Sequence, residues 1–203
     1  MILLPGPPNE LRPMFEEQVS PYLREKQPEI IYSRMVKICG VGESMVEDAI
    51  RDLIDSQSNP TIATYAKTGE VHLRVTARAG DVADAKKLIK PVVKELKLRF
   101  GEKIYTTEEK KTLEECVVEL LKDRKLELTT VESCTGGALT ARIVNVPGTS
   151  DVLKQGLITY SNKAKRKFTL VKKSTLKDEG AVSARTAKEM AQGAISSTGC
   201  DIS

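Results

Sequence analysis

The stretch Val131-Glu132-Ser133-Cys134-Thr135-Gly136-Gly137 constrains this chain more than any other segment. It follows an alternating apolar run, Leu126, Leu128 and Val131, and precedes a helical spacing, Ala138, Leu139 and Ile143. Alternation at period two marks a strand and recurrence at three to four marks a helix, so a hydroxyl-rich turn sits between a strand and a helix. Backbone N–H groups at such a helix start carry partial positive charge and can hold an anion or a developing oxyanion. A second segment, Gly156-Leu157-Ile158-Thr159-Tyr160-Ser161-Asn162-Lys163-Ala164-Lys165, reads as a strand that ends in a Tyr with a Lys close behind. A hydroxyl nucleophile, a phenol and an amine at the ends of two strands suit a hydrolytic site. The same residues also have plain structural uses. Ser and Thr cap helices and Gly permits tight turns, a Tyr can pack in a strand, and a Lys can sit on a solvated basic face.

The chain has 203 residues, which suits one or two domains. Apolar residues make up 40% and charged residues 30%, the balance of a globular protein. Trp is absent, so Val, Ile, Leu and Ala must fill the cores. The net charge of +4 does not argue for a nucleic-acid partner, which usually calls for a strong basic stripe. Cys39, Cys116, Cys134 and Cys200 lie far apart with no Cys-x-x-Cys pair, which points to reduced thiols in a cytoplasmic protein. Met1-Ile2-Leu3-Leu4-Pro5 is too short and lacks the basic residues of a signal peptide, and no run reaches membrane-spanning length. His72 is the one histidine, which excludes a multi-His metal site; no metal and no cofactor are expected.

Three unequal parts follow one another. In residues 1–30, Ile2, Leu3 and Leu4 read as a buried strand, Pro5-Gly6-Pro7-Pro8 as a rigid turn, and Asn9 as the cap of a helix through Phe15 and Val19. Residues 31–104 read as β-α-β-β-α. Met35, Val36 and Ile38 mark a strand, and Val46, Ile50 and Leu53 a helix. Two paired strands turn at Lys67-Thr68-Gly69-Glu70. Asp81 caps a long helix in which Pro91 demands a kink or a break. Residues 105–203 alternate β and α units, which predicts an α/β domain with helices on its sheet. Thr106 to Glu109 offers a capping box, Gly199 a helix stop, and Cys200 to Ser203 the start of a further strand.

Three motifs in the last part, in this order, resemble the CinA family: Glu132 to Gly137, Thr159 to Lys165, and Gly180-Ala181-Val182-Ser183. Two further likenesses support this. Leu4-Pro5-Gly6-Pro7-Pro8 with Glu10 resembles the end of that family's molybdopterin-binding-like N-terminal domain, and residues 31–104 resemble its KH-like middle domain. The resemblance implies a small α+β KH-like module followed by an α/β sandwich that acts as a nicotinamide-nucleotide amidase. It also implies that the chain begins inside the first domain and stops within the last, with activity and stability reduced accordingly.

Amide hydrolysis needs a nucleophile, a base and oxyanion donors. With His72 in the middle module, a Ser-Lys arrangement is the remaining option. The family likeness assigns catalysis to Ser133, Tyr160 and Lys165. Among the expected substrate contacts, the N–H groups around Thr135, Gly136 and Gly137 suit an oxyanion hole or the nucleotide phosphate, and Glu132 suits either positioning a Lys or binding the ribose. Cys134 is the competing nucleophile, ranked second because no His stands near it. The expected substrate is nicotinamide mononucleotide, the expected assembly a homo-oligomer such as a dimer, with no membrane and no nucleic-acid partner. Gly40-Val41-Gly42-Glu43 lacks the spacing of a nucleic-acid-clamping loop. Two other readings stand beside this one: an impaired relative serving as a binding or assembly module, and the remnant of an ADP-ribose pyrophosphatase-type protein.

Overall fold

The computed structural model describes residues 1–27 and 29–203 and divides into two compact units, Met1–Lys110 and Lys111–Ser203. The first begins with α1 (Pro8–Met14), a π-helical turn (Phe15–Val19) and α2 (Ser20–Lys26), none of which buries a residue. Pro13 and Pro21 flank the π turn. Each lacks an N–H and crowds the carbonyl four residues back, a strain that widening the helix relieves. Two expectations are overturned here. Ile2 to Leu4 form no strand and Leu3 is exposed, because among the described residues no strand pairs with their backbone. Asn9 lies inside α1 rather than capping it; the helix opens at Pro7 and Pro8, whose fixed φ suits a first turn.

The remainder of this unit is the expected β-α-β-β-α module. β1 (Ile30–Cys39) leads to α3 (Glu43–Ala49) and α4 (Arg51–Asp55), then β2 (Thr61–Lys67), β3 (Glu70–Ala79), α5 (Val82–Phe100) and a short β4 (Ile104–Thr106). The antiparallel sheet runs β2-β3-β1-β4. Val71, Leu73, Val75 and Ala77 of β3 alternate at period two, and all are buried. Ala85, Ile89, Val93, Leu96 and Phe100 recur at helical spacing on α5, and the two sets form one core with Val36, Ile38, Val46 and Ile50. Asp81 caps α5 through its Oδ1, which accepts from the Asp84 N–H at 2.8 Å. Pro91 neither breaks nor ends the helix; it stands on the exposed side, where water can reach the carbonyl that loses its partner. Gly69 takes the positive φ of +77° that the β2–β3 turn requires.

The second unit is the expected α/β arrangement. It opens with α6 (Leu113–Arg124), capped by Thr112 and Glu115, each side chain bonding the other's backbone N–H. The capping box is therefore not Thr106 to Glu109: Thr106 ends β4, and its hydroxyl accepts from the Glu108 N–H at 3.1 Å. β5 (Leu128–Glu132) passes through α7 (Ala138–Val144) to β6 (Leu153–Ile158), which pairs with it in parallel, Glu132 opposite Ile158. Next come α8 (Asn162–Thr169), α9 (Lys173–Asp178) and α10 (Ala184–Thr198). Ser183 caps α10, and Gly199 ends it at φ +76°. On the far side of β5, Ile202 makes a parallel bridge with Leu128, and its carbonyl accepts from the Thr129 N–H at 2.9 Å.

Candidate active site

In a parallel sheet, functional groups collect beyond the carboxyl ends of the strands. Ser133 follows directly on β5, while Thr159 and Tyr160 follow β6. Lys165 lies in the first turns of α8, which Ser161 caps by accepting the Ala164 N–H at 3.1 Å. Helical side chains lean toward the helix N-terminus, so Lys165 reaches back over the strand ends. Its Nζ donates to Ser133 Oγ at 2.8 Å, to the Thr159 carbonyl at 2.8 Å and to the Tyr160 carbonyl at 3.1 Å. The residue is 1% exposed, and among the described residues its amine meets no carboxylate. Three acceptors match the three donors of an ammonium.

The backbone around the amine is fixed at each end. Thr159 N–H donates to the Glu132 carbonyl at 2.8 Å, tying the two strand ends together. Thr169 Oγ1 donates to the Lys165 carbonyl at 2.7 Å. Beyond Thr169, α10 approaches so closely that a Cβ on Gly193 would stand 1.8 Å from the Thr169 carbonyl oxygen.

Glu132, expected among the substrate contacts, is turned into the protein and is 4% exposed. Its carboxylate accepts from the Leu139 N–H at 2.9 Å, the Thr140 N–H at 2.8 Å and Thr140 Oγ1 at 2.5 Å. Burial pushes its pKa up. The Thr140 hydroxyl, the Thr140 and Leu139 N–H groups and the Thr135 side chain outweigh that, bringing it from 4.5 down to about 2. Thr140 also pairs with Thr130 across 2.7 Å. Gly156 makes room for this network, since a Cβ there would meet Thr140 Cγ2 at 2.8 Å. Glu132 thus anchors the start of α7 and fixes the strand end from which Ser133 projects.

The turn between them is exposed at Cys134, Thr135 and Gly136. Gly136 and Gly137 take φ of +60° and +101°, which only glycine adopts freely. The N–H groups of Cys134, Thr135 and Gly137 have no acceptor among the described residues, which leaves them free for an incoming oxygen. Among the described residues no basic side chain bonds to Cys134, whereas the Lys165 amine bonds to Ser133. Tyr160, expected as a proton relay, is 75% exposed, and the group through which it meets Lys165 is its carbonyl. Sequence reasoning missed Thr130, Thr140 and Gly193. The signal for the threonines was a hydroxyl at a core-facing position of a strand or helix. An apolar hollow of about 380 Å³ lies elsewhere in this unit, walled by Val117, Leu139, Met190 and Ala191; neither Ser133 nor Lys165 lines it.

Residues 110–203 match the family model for the CinA C-terminal domain, and residues 33–106 match that for the damage-inducible protein CinA KH domain. The chain belongs to the CinA family. Among curated CinA relatives, the putative competence-damage inducible protein of Clostridium novyi (strain NT) is 50% identical over 202 residues, covering 100% of this chain and 49% of that protein. The CinA-like protein of Dictyoglomus turgidum is also 50% identical over 202 residues, with the same coverage. This chain thus spans about half the length of the curated relatives it matches. A solved structure, the competence/damage inducible protein CihA from Agrobacterium tumefaciens, is 36% identical and aligns with a TM-score of 0.42, covering 44% of this chain and 53% of that one.

Proposed function

We propose that the second unit hydrolyses the carboxamide of nicotinamide mononucleotide, yielding the nicotinate nucleotide and ammonia. The observation that carries this reading is the buried amine of Lys165, held by two carbonyls and 2.8 Å from the Ser133 hydroxyl. The likeness of the three motifs to nicotinamide-nucleotide amidases supplies the substrate.

The neutral Lys165 amine takes the Ser133 proton as Oγ bonds to the carboxamide carbon. The carbonyl oxygen gains the charge, within reach of the free N–H groups after Ser133. Collapse of this intermediate breaks the C–N bond, and Lys165 returns the proton to the leaving ammonia. Water then attacks the acyl-serine, Lys165 accepts its proton and passes it to Ser133 Oγ as the acyl bond breaks, and the free serine hydroxyl and the carboxylate product result. Thr159 and Tyr160 act through their carbonyls, which keep the amine aimed at Ser133 at each stage.

The test is ammonia release from nicotinamide mononucleotide by the chain and by Ser133→Ala and Lys165→Met. The reading requires release by the parent and none above background by either variant. A variant that keeps the parent rate removes its residue from the mechanism.

A further inference from the structure

Helix α5 treats its cations in two ways. Lys87 Nζ pairs with Asp84 at 2.7 Å, and Arg99 is held by Asp52 and Glu95. Lys86, Lys90, Lys94 and Lys97 are exposed, and no carboxylate lines the groove they share. They recur at spacings of four, four and three, which places them along one stripe. At about 1.5 Å per residue the stripe rises about 16 Å from first to last. Like charges one turn apart destabilise a helix, so this row works against folding while its neighbours on the same helix are neutralised.

The stripe borders a groove of about 410 Å³ whose other wall is Tyr32 and Arg34 of β1 and whose floor includes Ile89 and Val93. Lys86 Nζ lies 5.7 Å from the centre of the Tyr32 ring. β4 pairs with β1 only at Lys37 and Ile38, so among the described residues no strand pairs with β1 on that side at Tyr32 and Arg34; the Arg34 guanidinium donates to Thr107 Oγ1 at 3.3 Å from the exposed rim of the groove. The whole-chain charge of +4 hides this feature, because acidic residues elsewhere offset it.

We propose that this groove binds single-stranded nucleic acid, with Arg34 and the four lysines on successive phosphates and Tyr32 as a stacking surface. One cation at every helical turn suits a polymer that carries a charge on every unit. An aromatic ring beside an apolar floor suits the face of a base, and together these are the elements of a single-strand groove. The site is separate from a Gly-x-x-Gly clamp, which this module lacks: α3 meets α4 at the buried Ile50.

The test is fluorescence anisotropy of the full chain with a labelled mixed-sequence 12-nucleotide single strand, as DNA and as RNA. Five phosphate contacts, at about −0.7 each for a single strand, predict a slope of about −3.5 in log affinity against log salt, or about a 100-fold loss between 50 and 200 mM. The double variant Lys90→Glu, Lys94→Glu is expected to lose at least tenfold in affinity and to flatten the slope. Tyr32→Ala is expected to weaken binding about tenfold without changing it. The double variant Lys67→Glu, Lys188→Glu, with the same net charge change outside the groove, is expected to bind like the parent. Circular dichroism of each variant checks that it is folded. Absence of binding at 50 mM salt overturns the proposal, as does equal binding by the Lys90, Lys94 variant. Equal or tighter binding of an oligoglutamate of matched charge assigns the groove to acidic polypeptides instead, and equal competition by duplex of the same sequence removes the single-strand reading.

Discussion

Replacing Glu132 by Gln isolates the charge that anchors α7. The carboxylate accepts three hydrogen bonds, from the Leu139 and Thr140 N–H groups and the Thr140 hydroxyl. Glutamine keeps one acceptor oxygen and turns an NH2 group toward donors. The anchored carboxylate titrates at about 2 instead of 4.5. Each unit is worth about 1.36 kcal/mol, so this shift corresponds to about 2 to 3 kcal/mol once the solvent at the mouth of the turn is allowed for. Because the folded-state pKa is lowered, this stability is fully present above the ordinary carboxylate pKa and fades as pH falls from about 4.5 to about 2. The Gln variant has no group to titrate there. The gap between parent and variant is therefore widest near neutrality and narrows through that acid window. Other carboxylates titrate in both proteins and cancel in the difference. With a urea dependence of about 1–3 kcal/mol per molar, the variant's midpoint at neutral pH falls by roughly 0.7–3 M. The assay is urea unfolding by far-ultraviolet circular dichroism at a series of pH values, with hydrogen exchange over residues 128–145 assigning the transition to the second unit. A neutral-pH gap below about 0.5 kcal/mol, the scale of ordinary surface substitutions, would refute the reasoning. So would a gap of constant size through the acid window.

Further expectations follow from the same geometry. Gly193→Ala drives a Cβ into the Thr169 carbonyl and displaces the helix that carries Lys165. It is expected to destabilise the second unit by about 1–3 kcal/mol and to reduce ammonia release, and thermal unfolding at parent stability contradicts the close packing of α8 on α10. Lys165→Met is expected to lower turnover by roughly 10²–10⁴ with little change in the Michaelis constant, because a base acts in the transition state; an effect confined to the Michaelis constant reduces Lys165 to a binding group. Release measured with and without EDTA is expected to be the same, and loss on chelation contradicts the Ser-Lys chemistry.

The meeting of Ser133 and Lys165 was legible because the strand–turn–helix pattern at 126–143 and the strand end at 156–165 each place one residue at the same edge of a parallel sheet. The role of Tyr160 was not, since its contribution to the amine is a carbonyl, which any residue carries. Glu132 was ambiguous for a different reason. A carboxylate closing a strand can face substrate or helix, and the choice is made by Thr140 two turns of chain later. The capping box shows how degenerate short patterns are: Thr106 to Glu109 fits as well as Thr112 to Glu115, and only the pairing of Thr106 with Lys37 in the first sheet decides between them. The run Ile2 to Leu4 has strand composition without a partner strand. Gly193 carries no local signal, because its need to be small comes from Thr169, distant in sequence. The lysine stripe was obscured by counting charge over the whole chain instead of along α5.

The central claim is that the amine of Lys165 arms Ser133 rather than the neighbouring thiol. The most direct measurement is the rate of ammonia release from nicotinamide mononucleotide by the parent chain, Ser133→Ala and Cys134→Ala, each checked for parent-like circular dichroism. The account predicts turnover in the parent, release at background in Ser133→Ala and most of the parent rate in Cys134→Ala. No turnover in the parent, the reverse order of the two variants, or full activity in Ser133→Ala would contradict it.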